Sequence, residues 1–280
     1  MTVNQVITDR FLEALRGGKV AWQKPWKCLG YRNALTKHLY RGVNVLILHA
    51  LGNDSFFLTE RQIFKLGGKI KDKNLKIPIL FYTVNEDGKT GKKFFISRYY
   101  RVHGLSNIDG LKLKVEGEKL NEDFNPIKNC EEFVKAQNAD IQHGGNRAFF
   151  SVDAGFIGMP NQKQFKSEAH YYLTLFHELT HREGKVTGAK VDWTHFGDDP
   201  YSKEELVAEI GANFLAGHLG VNTEGLFENS VAYLQSWIKK FENDPQFVIS
   251  AAQQAQKRFD TMLKKYAPNE AVAIPNESDD

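Results

Sequence analysis

Only two cysteines occur in the 280 residues, Cys28 and Cys130, too few and too far apart for a disulfide framework or a cysteine-built metal cage. That scarcity points to a reducing compartment, and the expected location is the cytoplasm. No apolar run approaches the roughly 18 residues that mark a membrane-spanning helix, so no membrane partner is expected. The opening MTVNQVITDRFLEALRGG carries acidic residues and lacks the basic and apolar regions of a signal peptide. No internal repeat is present, which excludes solenoids and arrays. What is there, 41% hydrophobic and 25% charged residues, is the composition of a globular protein.

Excess charge of either sign is also small, at +3, but the two halves differ. Residues 1–125 hold 22 Lys+Arg against 12 Asp+Glu, whereas 126–280 hold 15 against 22. A basic half joined to an acidic one suggests two domains, the first with a polyanionic partner. A merely solvated lysine-rich surface is the alternative.

The pattern along the chain fits an α+β protein with a basic mixed domain over 1–125 and a mostly helical domain with a small sheet over 126–266. An acidic, polar tail, 267–280, is expected to be disordered. Helices are expected near 2–16, 44–53 and 58–68, the last begun by a cap-like Thr59. Two β-rich runs between 77 and 104 flank a turn at Asp87-Gly88, and GLKLKV reads as an edge strand. Residues 121–130 read as a connector. EEFVKAQNA then suggests a helix, AFFSV and FIGMP short strands, and four helices follow near 167–183, 202–219, 228–242 and 246–266.

Within LTLFHELTHREG, His177, Glu178 and His181 form an H-E-x-x-H pattern behind an apolar run. Residues four apart share a helix face, so both imidazoles can meet one ion, Zn2+ or another divalent transition metal. Glu178, one position from the first histidine, can reach a water beside the ion without ligating the ion, and so serve as general base. A catalytic zinc wants a third protein ligand and an open position. In YSKEELVAEIGANFLAGHLG, Glu209 sits among Val207, Ala208, Ile210 and Ala212, where a carboxylate needs a cation to stay ionised, and it is the expected third ligand. Glu205, one turn earlier, is the runner-up. His195 is a candidate to line the cleft and donate a hydrogen bond to a ligand or to the transition state, His170 a packing or rim residue and His218 structural.

Residues 22–44 interleave Trp22, Lys24, Trp26, Lys27, Tyr31, Arg32, Lys37, Tyr40 and Arg41. KKFFISRYYR repeats that composition with Arg98, Tyr99, Tyr100 and Arg101. Single-stranded nucleic acid is held in this way, bases stacking on rings while phosphates meet cations. On an alternating strand half the rings face the core, leaving two or three aromatics for bases.

Taken together, AWQKPW, YRNALTKHLYRGVNVLIL, LTERQIFKLGGKI, RYYRVHGL, NADIQHGGNRAFFS, FIGMPNQKQFKSEAHYYLTLFHELTHREG, YSKEELVAEIGANFLAGHLG and VAYLQSWIKKFENDP resemble the ArdC family, in order and across residues 5–265. The resemblance implies an antirestriction protein of a plasmid or phage, with an N-terminal domain that binds single-stranded DNA and a C-terminal zincin-like metallopeptidase domain. Carried over, the metal pair is His177 and His181 and the base Glu178. The E-x-x-A-N-x-F form at Glu209, Ala212, Asn213 and Phe214 is similar to the third-ligand helix of ImmA/IrrE-type zincins and favours Glu209. One departure is HREGKVTGAKVDWTHF, which lacks the Thr-Gly pair and Arg-Leu-x-Arg run that follow the second histidine in family members. Implied partners are single-stranded DNA and a protein substrate or restriction-system component. Two other readings stand beside this one: a non-enzymatic DNA shield with a structural zinc, and an ImmA/IrrE-like peptidase of a regulatory protein.

Overall fold

The protein is described by a computed structural model over residues 3–17, 31–52, 54–86, 93–111, 113, 126–191, 193, 202–223 and 231–267. Described residues up to 113 fall in one compact unit and those from 126 in a second, so the expected boundary near 125 lies outside the described residues. The same holds for the Asp87-Gly88 turn and for all of the tail after 267.

The first unit is built on a four-stranded sheet in the order β1-β2-β5-β4, from Arg32–Asn33, Phe56–Thr59, Lys93–Gly104 and Ile77–Glu86. Strands β4 and β5 pair antiparallel from Ile77↔Val102 to Glu86↔Lys93, as the two β-rich runs led one to expect. Helix α1 (Val3–Arg16) buries Ile7, Phe11, Leu12 and Leu15, a stripe set by the 3.6-residue period. Helix α2 (Val43–Leu51) contributes Leu46, Ile47 and Leu48 to the same interior. Fully burying each such side chain stabilises by about 1.5–3 kcal/mol.

Three details differ from the sequence reading. Leu58 and Thr59 belong to β2, and the helix that follows, α3, spans only Glu60–Lys65. Thr59 ends the strand and caps the helix at once: its hydroxyl accepts from Gln62 N at 3.2 Å, and Gln62 Oε1 accepts from Thr59 N at 3.0 Å. A short antiparallel pair, β3 (Lys69–Ile70) with β6 (Ile108–Asp109), also escaped notice. Gly110, Leu111 and Leu113, the described residues of the expected GLKLKV strand, lie in no strand.

Strand β4 ends the sheet, and its outer rim is closed by a side chain. Asn44 Nδ2 donates to the Leu80 carbonyl and Asn44 Oδ1 accepts from the Leu80 N–H, both at 2.7 Å. An amide thus replaces the missing strand at a buried residue, where unpaired backbone groups are costly.

In the second unit, α4 (Pro126–Ala136) starts within the expected connector, because Pro126 opens a helix rather than breaking one. A three-stranded sheet follows in the order β7-β9-β8, from Ile141–His143, Ile157–Met159 and Phe149–Phe150. The helices α5 (Glu168–Val186), α6 (Lys203–His218), α7 (Val231–Asn243) and α8 (Phe247–Tyr266) match the four expected. One core joins Phe133, Phe150, Met159, Phe176, Leu179, Leu215 and Met262, so α4, the sheet, α5, α6 and α8 share it. Among the described residues no helix is long and apolar enough to cross a membrane.

Candidate metal centre

Helix α5 begins at Ser167, whose hydroxyl accepts from His170 N at 3.3 Å. Its buried face, Tyr172, Phe176 and Leu179, anchors it in the core and fixes where the remaining faces point. His177 and His181, one turn apart, lie with ring centroids 4.7 Å apart and Nε2 atoms 3.0 Å apart. Helix α6 begins at Ser202, whose hydroxyl accepts from Glu205 N at 3.2 Å and leaves Glu204 and Glu205 in the first turn, where the helix dipole favours carboxylates.

The two helices meet closely because Gly211 faces Thr180. A Cβ at 211 would stand 2.6 Å from the threonine methyl, so any other residue would force the helices apart. That approach brings Glu205 to the imidazoles. Its Oε2 lies 3.3 Å from His177 Nε2 and its Oε1 3.6 Å from His181 Nε2. Burial would raise the Glu205 pKa, but hydrogen bonds from both histidines outweigh it and hold the carboxyl well below the usual range.

His177, His181 and Glu205 together place three donor atoms within 4.8 Å of one another. The separations of 3.0–3.6 Å bracket the edge of about 3.3–3.4 Å that a tetrahedron of 2.0–2.1 Å bonds requires. The donor set, two imidazoles and a carboxylate, also suits a borderline divalent cation.

Behind His181 stands a buried pair that the sequence reading missed. Glu204 Oε1 lies 3.0 Å from His181 Nδ1, and Arg258 of α8 grips both Glu204 oxygens, at 2.5 and 2.7 Å. Burial raises the pKa of Glu204, and the Arg258 and His181 hydrogen bonds outweigh it, so the carboxylate stays ionised. For His181, burial works against the proton, yet the hydrogen bonds to Glu204 and Glu205 and the nearby charge of Glu178 push its pKa up to about 9. The signal was present in α8. Ala251, Ala255, Arg258 and Met262 form one buried stripe, with arginine where the helical period calls for an apolar residue.

Glu178 is buried between the histidines in sequence, as the motif requires. The carboxylate beside the imidazoles is that of Glu205, and Glu209 lies one turn further along α6. Glu209 instead lines a cleft of about 290 Å³ with His170, Leu173, Thr174, His177, Ala212 and Asn213. Which of two carboxylates on one face meets a neighbouring helix depends on the axial offset of the helices, and that offset is not written in either helix alone. His170 is therefore on the cleft rim, and His218 packs on Phe259 at 5.6 Å. His195 lies outside the described residues.

Comparison with known proteins follows this division. A model described as the N-terminal domain of anti-restriction factor ArdC matches residues 1–128, and one described as zincin-like metallopeptidase matches 128–254. The metal-free crystal structure of antirestriction ArdC from plasmid R388 superposes with a TM-score of 0.76 at 30% identity, covering 96% of this chain and 99% of that one. The chain belongs to the ArdC family. The Mn(II)-bound form of the same R388 ArdC gives 0.77 at 29% identity, over 96% and 100% of the two chains. A zincin-like domain implies a divalent metal.

Among curated relatives of this ArdC-family chain, two Escherichia coli proteins named DNA primase TraC are 30% and 29% identical over 93% of it. The chain spans only 20% and 27% of their lengths. Uncharacterized protein y4eC of Sinorhizobium fredii (strain NBRC 101917 / NGR234) is 24% identical over 91% of the chain and 90% of its own length.

The ArdC N-terminal unit places its candidate DNA-binding residues unevenly. Arg98, Tyr99, Tyr100 and Arg101 are all exposed, in succession on β5. Tyr99 and Tyr100 retain 38% and 36% exposure, so alternation presents a ring on each face. These residues lie beyond the β2 ladder, which ends at Thr59↔Val102. Lys37 is exposed and lies over the Phe56 ring, and Arg32 Nη1 donates to the Lys37 carbonyl at 3.4 Å. Arg41 is half-buried. Tyr40 is a core residue, packed edge-on against Phe57, and offers no ring face to a base. Trp22, Lys24 and Trp26 lie outside the described residues.

Proposed function

We propose that this chain is an antirestriction protein of a mobile element that holds single-stranded DNA on its N-terminal unit and hydrolyses a peptide bond at a divalent-metal site in its second. The observation that carries the reading is the convergence of His177, His181 and Glu205, with Glu178 next to His177 in the chain. His177, His181 and Glu205 would hold the ion, Zn2+ or another divalent transition metal such as Mn2+. The ion, when bound, supplies Lewis-acid polarisation of a carbonyl and acidifies a water. Glu178 would take a proton from the attacking water and return it to the leaving amine. Glu205 adds negative charge that keeps the cation in place, and the cleft beside His177 is where substrate side chains enter. The substrate is a protein met near incoming DNA.

The test is direct. Purified protein should bind about one equivalent of Mn2+ or Zn2+ in isothermal titration, and His177→Ala should abolish binding. A wild-type protein that takes up neither ion removes the peptidase half of the reading.

Metal uptake must expel the His181 proton, because ligands bind deprotonated. With that pKa at about 9, affinity should rise about tenfold per pH unit from pH 7 toward 9 and level off above it. Stability of the metal-free protein should follow the opposite trend. Its His181 stabilisation is whole below 6.5, the unperturbed value, and fades as pH rises through 9. Titrations in buffers of different ionisation enthalpy count the proton, and an affinity flat across this span contradicts a His181 ligand.

On the DNA side, the double variant Arg98→Ala/Arg101→Ala should weaken binding of a short single-stranded oligonucleotide. It should also reduce the slope of log affinity against log salt by about 1.4, at roughly 0.7 per lost phosphate contact. Tyr100→Ala should cost about 1–3 kcal/mol if the ring stacks on a base. Unchanged affinity in both variants moves the groove elsewhere on the unit.

A further inference from the structure

We infer that Arg258 and Glu204 act as positioning residues which clamp the His181 ring with Nδ1–H toward Glu204 and Nε2 toward the metal centre; this rests on the metal-site reading above. Three observations carry it. The Glu204 carboxylate is shared, its Oε1 facing His181 Nδ1 at 3.0 Å while Arg258 holds both oxygens. Arg258 is itself tied to the helix that carries the histidines, donating Nη1 to the Thr180 carbonyl at 3.1 Å. Every member is buried, with His181 1%, Arg258 3% and Glu204 6% exposed.

The clamp has a built-in seat. A Cβ on Gly184 would lie 2.4 Å from the Arg258 Cζ and 2.6 and 2.7 Å from its two terminal nitrogens. The guanidinium therefore lies on the bare backbone of α5, one turn past Thr180, and only glycine admits it. Three helices are joined by this arrangement: α8 gives the arginine, α6 the carboxylate and α5 the imidazole, the carbonyl and the gap. A guanidinium fork presents two parallel donors to a carboxylate and fixes its plane as well as its position. A carboxylate so fixed sets which imidazole nitrogen carries hydrogen, and so which one is left for the ion. A buried ion pair serving only the fold would have no need to lend an oxygen to a metal-ligand candidate.

The test pairs two single variants with two readouts. Gly184→Ala puts a methyl where the guanidinium sits, touches neither His181 nor Glu204, and exchanges glycine for the better helix former. Glu204→Gln removes the charge that links the other two. In metal-free wild-type protein the His181 Nδ1–H should give a downfield ring N–H resonance that exchanges slowly with water. Both variants should lose or shift it. Both should also lower affinity for Zn2+ or Mn2+ by about 10–100-fold, the usual effect of removing an outer-shell partner. Wild-type signal and affinity retained in both variants overturn the inference. If wild-type protein binds neither ion, the peptidase reading fails, while the ring resonance still decides the clamp: lost in Glu204→Gln it stands, unchanged it falls. Should a single variant fold poorly, Glu204→Gln/Arg258→Met removes both charges together and reads the same two quantities.

Discussion

Glu205→Ala should lower affinity for Zn2+ or Mn2+ by on the order of 10²–10³-fold, whereas Glu209→Ala should change it by about threefold or less. The size follows from structural zinc sites with four protein ligands, where roughly 10–16 kcal/mol of apparent binding energy gives each ligand about 2.5–4 kcal/mol. The asymmetry follows from geometry, because Glu205 is the carboxylate with oxygens 3.3 and 3.6 Å from the two Nε2 atoms. Glu209 sits in the cleft wall, so its loss should instead alter how a substrate side chain is received. Isothermal titration of the two variants settles the assignment. If the Glu209 variant loses the metal and the Glu205 variant keeps it, the third ligand is the one the sequence pattern favoured.

The difference between the expected Glu209 and the Glu205 that lies beside the imidazoles marks where the sequence was readable. His177, Glu178 and His181 sit within five residues on one helix, so their mutual placement follows from the helical period alone. Both candidates for the third ligand lie on a second helix, and choosing between Glu205 and Glu209 needs the axial register of α5 against α6. That register is set by Gly211 against Thr180, a contact that no local pattern reveals. Arg258 lies 54 residues beyond Glu204 and had the same obstacle, although its place in an apolar stripe was a usable hint. Long helices with clear periods were legible, since burial of one face dictates them. Two-residue strands such as β3 and β6 were not, because so short a run carries no period. Tyr40 shows the limit of composition. An aromatic beside an arginine looks like a base-stacking pair, but its ring is spent against Phe57 in the core.

The sharpest separation between an enzyme and a shield lies at Glu178. Glu178→Gln keeps the shape and the hydrogen-bonding capacity of the side chain but cannot take a proton, and general-base catalysis contributes about 10²–10⁴-fold. Cleavage of a peptide library by the metal-loaded protein, followed by mass spectrometry, should fall by that factor. Metal affinity should stay within about threefold, because His177, His181 and Glu205 remain. Single-stranded DNA affinity should not move, since the exposed Arg98–Arg101 run belongs to the other unit. A combined assay then tells the readings apart. If transfer of an unmodified plasmid into a restricting host loses its protection in step with peptide cleavage, proteolysis is the means of antirestriction. If Glu178→Gln protects as well as wild type does, the metal centre serves architecture, and the DNA-holding unit carries the effect alone.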